Sequence, residues 1–163
     1  PLDARLAIMG EAPGKQEAEA GRPFVGRAGK LLDQLLEEAG IDRSETYVTN
    51  VVKLRPTTES KGRLKNRPPR AGEIREGLEV LRSELEIVDP AVLVLLGSVP
   101  AKALIERSFT LSSGRGSWFD SQLGIPALAT YHPAYLLRLR GADFERTREL
   151  VVEDLRKAWE QAR

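Results

Sequence analysis

Four side chains in this sequence are of the right type to work on a planar heterocycle: Glu11, Phe24, Asn50 and His132. Glu11 follows the apolar run Leu6-Ala7-Ile8-Met9 and sits in Gly10-Glu11-Ala12-Pro13-Gly14. A buried strand there ends in a stiff turn that carries a carboxylate. Asn50 closes the run Tyr47-Val48-Thr49, and His132, the only histidine, closes Ala127-Leu128-Ala129-Thr130-Tyr131. Phe24 lies in the glycine-rich stretch Gly21-Arg22-Pro23-Phe24-Val25-Gly26. A carboxylate, an amide, an imidazole and an aromatic plate are the groups needed to grip a flipped base and cut it from its sugar. Three of them also have a plainer reading: Asn50 could cap its own turn, Phe24 could anchor its loop, and His132 could be structural. A second carboxylate, Glu17, follows in the same stretch as Glu11; it could be a solvated loop carboxylate, a reading that fits Glu11 at a strand end less well.

These tips need a sheet behind them. Residues 6–10, 46–53, 91–96 and 126–131 read as strands. Residues 27–39 read as a helix with Leu31, Leu32, Leu35 and Leu36 on one face, and residues 71–87 as another with Ile74, Leu78, Leu81 and Leu85. A short helix follows Gly97-Ser98, and a charged amphipathic helix covers 142–161. Residues 57–70 read as a polar loop. Strands that alternate with helices imply a parallel sheet covered on both faces. The expected fold is α/β, a three-layer α/β/α sandwich on a central parallel four-stranded sheet, with residues 1–163 as one domain. Open sheets of this kind bind ligands at the carboxyl ends of their strands, where the four side chains fall.

Composition narrows the function further. No apolar run approaches the ~20 residues that span a bilayer, and nothing reads as a signal peptide, so a cytoplasmic protein with no membrane contact is expected. The chain has no cysteine, which excludes disulfides and thiolate metal sites within it. Net charge is only +1, yet Lys53, Arg55, Lys61, Arg63, Lys65, Arg67 and Arg70 face only Glu59 within their segment. Arg138, Arg140, Arg146 and Arg148 form a second set. Such one-sided charge on a near-neutral body reads as a phosphate-binding footprint; the plainer reading is a solvated loop and a solvated helix face. Gly97-Ser98 opens a helix after a strand, and the Ser98 amide could hold a phosphate.

Taken together, GEAPG with GRPFVGRAG, TNVVKLRP with NRPP, and HPAYLLR resemble the uracil-DNA glycosylase superfamily, and most its family-4 branch. The resemblance runs from Leu6 to about Trp159. It implies a monomeric repair enzyme that hydrolyses the N-glycosidic bond of uracil in single- or double-stranded DNA and leaves an abasic site. Phe24 would stack on the base, and the Asn50 amide would accept from uracil N3–H and donate to O4. Cytosine presents the opposite pattern, and each polar group left unpaired costs about 1–3 kcal/mol. His132 would stabilise charge developing on O2, a donor role worth about 2.7–4 kcal/mol. Glu11 or Glu17 would handle the attacking water, and Glu17 could instead crowd uracil C5 and exclude thymine. Ala12 stands where other branches carry an aspartate. Lys53, Arg63, Lys65, Asn66, Arg67, Ser98 and Arg138 would contact the DNA. Leu136 and Leu137 would wedge the duplex or, equally, serve as core leucines.

Two departures from the family pattern stand out. Family-4 members typically hold an iron–sulfur cluster on four cysteines, and here Leu54 occupies the position after Lys53, where one is expected. The chain also starts too near its first strand to carry the upstream pair, so a member without cluster, metal or other cofactor is expected. The 57–70 segment is longer than usual. A small group of relatives traps uracil-DNA covalently through a histidine in that segment, near Asn66 here. An amide is not a useful nucleophile, so turnover is expected. Two other readings stay open: a glycosylase for another deaminated base, and a non-turnover binder of uracil-containing or single-stranded DNA.

Overall fold

A computed structural model describes residues 1–163. The chain runs β1 (Leu6–Gly10), α1 (Lys15–Ala20), α2 (Arg27–Glu38), β2 (Thr46–Asn50), β3 (Thr57–Ser60), β4 (Arg63–Asn66) and α3 (Ala71–Val88). It continues through β5 (Val92–Leu96), α4 (Ser98–Leu104), α5 (Leu111–Gly114), β6 (Trp118–Asp120), β7 (Pro126–Thr130), α6 (Pro133–Leu136) and α7 (Gly141–Ala162).

The central sheet has the order β2-β1-β5-β7-β6. Its first four strands are parallel, while β6 pairs antiparallel to β7 at the edge. The expectation of four strands is therefore corrected to five. The three residues of β6 hold too short an apolar pattern to announce a strand. Every residue of β1 and β5 is buried, as strands covered on both faces must be. Alternation sends Leu6 and Ile8 to one side, with α2, α6 and α7, and Ala7 and Met9 to the other, with α3. These are the two outer layers of the sandwich. All four predicted leucines of α2 are buried. On α3, Leu81 and Leu85 are buried, and Ile74 and Leu78 pack partly exposed beside them. No helix is long and apolar enough to cross a membrane.

Residues 57–66 are not loop but an antiparallel hairpin, β3 with β4, paired only with itself. Lys61 and Gly62 turn it with φ of 53° and 73°, the primed two-residue turn that matches strand twist. The sheet's connection leaves β1 toward β2 on one side and returns through α3 to β5 on the other. The resulting switch point lies at the carboxyl ends of β1 and β5.

Candidate active site

At that edge a cavity of about 390 Å³ is lined by Glu11, Ala12, Gly14, Glu17, Phe24, Ala28, Asn50, Asn66, Arg67, Pro68, His132, Ala134 and Arg138. Residues from five separated segments of the chain thus share one small space. β1 delivers Glu11, β2 delivers Asn50, β7 delivers His132, and the loop before α2 delivers Phe24.

Phe24 is buried, and its ring lies 5.5 Å from the His132 ring, centre to centre. Its backbone has φ of 53°, a left-handed conformation that costs an ordinary residue about 1–3 kcal/mol. Two glycines make room for it. A Cβ on Gly10 would stand 2.5 Å from Phe24 Cζ and 2.6 Å from Asn50 Oδ1, and one on Gly29 would stand 2.0 Å from the Phe24 carbonyl oxygen. Arg43 holds the strained turn: its guanidinium donates to the carbonyls of Phe24 (2.8 Å) and Pro23 (2.7 Å) and to Asp33 (2.8 Å). Nothing in the local sequence marks Arg43, because its partners lie 10 to 20 residues away.

Glu17 fastens the same loop. Its carboxylate accepts from the backbone N–H groups of Gly14 (3.2 Å), Val25 (2.9 Å) and Gly26 (2.8 Å). Burial would raise its pKa, but the backbone donors, Gly26 and Val25 foremost, outweigh burial and hold it below the usual carboxylate range. Both oxygens are therefore occupied. Glu11 differs: its side chain has no hydrogen-bond partner in the protein, and burial pushes its carboxyl above the ordinary value.

Asn50 is buried, and no protein group hydrogen-bonds its side-chain amide, while its backbone carbonyl accepts from Lys53 Nζ at 2.6 Å. Lys53 also donates to Thr49 Oγ1 (2.8 Å) and pairs with Glu84, which accepts from the hydroxyls of Tyr47 and Thr49. Lys53, expected to contact the DNA, is thus the brace behind Asn50, its ammonium committed to Thr49, Asn50 and Glu84. Arg67 is committed likewise. Its guanidinium forks onto Glu73 (2.7 and 3.0 Å) and donates to the Thr57 carbonyl (2.9 Å).

His132 caps α6. Its Nδ1 accepts from the Ala134 backbone N–H at 2.9 Å, so the neutral ring carries its proton on Nε2. Burial first, then the Arg138 guanidinium, pushes its pKa down to about 4, against the opposing pull of Glu17. At neutral pH the ring is an uncharged donor.

That shift has a sign. The unfolded histidine titrates near 6.5, so between pH 6.5 and 4 the unfolded chain binds more protons, and folding weakens as pH falls through that window. The loss reaches about 2–3 kcal/mol near pH 4.5. Urea denaturation at pH 4.5 and 7.5 is expected to show His132→Gln losing less stability over that span than the parent.

Other expected contacts fall outside the cavity. Arg63 and Lys65 are exposed on β4, and Ser98 starts α4. Leu136 is fully buried in the core beneath α2 and α7, the core leucine of its two readings and not the wedge. Leu137 packs partly buried on the same core, leaving Tyr135 as the exposed large side chain of α6.

The iron–sulfur cluster typical of family 4 does not fit these residues. The chain has no cysteine, Leu54 is 82% exposed at the position after Lys53, and no three His, Asp or Glu side chains converge as metal ligands.

Comparison with known proteins places the chain in a family. The model of the Uracil DNA glycosylase superfamily matches residues 1–156. The chain is 39% identical over 158 residues to a Type-4 uracil-DNA glycosylase of Thermotoga maritima, covering 96% of this chain and 77% of that one. A Type-4 uracil-DNA glycosylase of Pyrobaculum aerophilum is 40% identical over 146 residues, covering 83% of this chain and 71% of the relative. One from Sulfurisphaera tokodaii is 35% identical over 163 residues, covering 91% and 71%.

Proposed function

The chain belongs to the uracil-DNA glycosylase superfamily, and from that premise we propose that it is a base-excision repair enzyme that hydrolyses uracil from DNA and leaves an abasic site. The observation that carries the reading is the single cavity where Phe24, Asn50, Glu11 and His132 meet.

In this reading the flipped uracil slides over the Phe24 ring, a contact worth about 1–3 kcal/mol. The unpartnered Asn50 amide accepts from N3–H and donates to O4, so cytosine in the same pose leaves those groups mismatched. Water adds to C1′ as the C1′–N1 bond breaks, and the bonding pair leaves with the base. The developing charge spreads onto O2, where the neutral His132 Nε2–H donates. Glu11 takes the proton from the water; burial makes it the stronger base, whereas the Glu17 oxygens are already filled. Arg138 at the rim, with Arg63 and Lys65 on the hairpin, meets the phosphates. The enzyme works as a cytoplasmic monomer and needs neither metal nor organic cofactor. Asn66 lines the cavity with an amide, and its Oδ1 already accepts from Arg55 Nε at 2.7 Å, which favours turnover over a covalent trap.

Oligonucleotides that differ in one base test this. Alkali-labile product is expected from uracil and not from hypoxanthine, xanthine or a thymine mispair. Equal product from another deaminated base would move the activity to that base.

Arg43→Ala removes the donors from Pro23 and Phe24. It is expected to cost about 2 kcal/mol of stability and to raise KM more than it lowers kcat, because a displaced stacking plate weakens ground and transition states alike. Denaturation and steady-state kinetics together check this.

A further inference from the structure

Of the two leucines expected to wedge the duplex, Leu136 belongs to the core and Leu137 packs partly buried against it. Another leucine stands bare beside the cavity. Alternation along β4 puts Leu64 on the same face as Asn66, and Asn66 lines the cavity. They stand two positions apart with Lys65 between them, about 7 Å along the strand, or about two base steps of a stacked DNA strand. Leu64 is 61% exposed and contributes nothing to either core. Glu59 is its cross-strand neighbour and the one acidic residue of the hairpin. Arg63 and Lys65 take the opposite face, and Lys61 stands at the turn.

The base of this hairpin is fixed. Arg67 donates to the Thr57 carbonyl through its side chain (2.9 Å) and to the Pro56 carbonyl through its backbone (3.2 Å), and its ion pair ties β4 to α3. A braced, cation-edged hairpin therefore presents one apolar side chain next to the cavity mouth.

We propose that Leu64 is the wedge that enters the base stack of duplex DNA beside the extruded nucleotide. Apolar side chains pushed into a base step hold the duplex kinked and the neighbouring base unstacked, and the flanking cations complement the phosphates on either side of such a step. The proposal rests on the reading that the cavity excises uracil from DNA. It adds that the hairpin supplies competence on duplex substrates, because a single strand has no stack to open.

Leu64→Ala tests it under single-turnover conditions on one sequence in two forms. The rate on duplex DNA is expected to fall about tenfold while the rate on single-stranded DNA stays unchanged, and Leu64→Met is expected to restore the duplex rate. A 2-aminopurine beside the uracil is expected to brighten when the parent protein binds duplex and to stay dark with Leu64→Ala. Equal rates on both forms, a parallel fall on both, or equal brightening would overturn the wedge. The fluorescence reports insertion even where no base is excised. Absence of product from the parent on single-stranded uracil-DNA would instead count against the glycosylase reading.

Discussion

His132→Ala is expected to lower kcat for uracil excision by about 10²- to 10³-fold while KM changes little. The size follows from what the ring offers. Its Nδ1 is occupied by the Ala134 backbone N–H, so the neutral imidazole presents only an Nε2–H donor. Burial and Arg138 keep it uncharged down to about pH 4. Charge appears on uracil O2 only as the glycosidic bond breaks, so the donor strengthens in the transition state and its removal acts on kcat. No fall in kcat from titration of this ring is therefore expected between pH 8 and pH 5. A loss seen mainly in KM would mean that His132 binds the base without assisting departure.

Asp154→Ala is expected to destabilise the protein by about 3 kcal/mol, lowering Tm by about 10 °C for a chain of this length. Asp154 is 2% exposed. It accepts from Arg115 Nε (3.0 Å) and Nη2 (2.8 Å) and from the Thr130 hydroxyl (2.6 Å). Removing it strands a half-buried guanidinium and a buried hydroxyl. Thr130 ends β7, two residues before His132, so the folded fraction is expected to lose activity as well. Thermal denaturation with kinetics below Tm separates the two effects. A Tm shift of only a degree or two would show that Arg115 and Thr130 find other partners.

The central strands and the cavity residues were legible because each rests on a local signal. The buried runs of β1 and β5 read as strands covered on both faces, and the polar tips Glu11, Asn50 and His132 stand where β1, β2 and β7 stop. The leucine spacing of α2 gave its buried face. What stayed hidden is what no short window encodes. α1 buries no residue and so shows no apolar stripe. The hairpin turns on Lys61-Gly62 without the usual asparagine, and all four residues of β4 are exposed. Arg43, Glu84 and Asp154 became visible only through partners 10 to 39 residues away. Spacing alone could not tell Leu136 from Leu137, because one turn of helix gives both a face to choose and only packing assigns it.

A time course with a uracil-containing oligonucleotide in excess over protein, split between alkali treatment and a denaturing gel, tests the central claim most directly. Alkali-labile product rising past the protein concentration, and lost in His132→Ala, is the predicted result. A retained DNA complex with no alkali-labile product would contradict it and make the protein a binder of uracil-containing DNA.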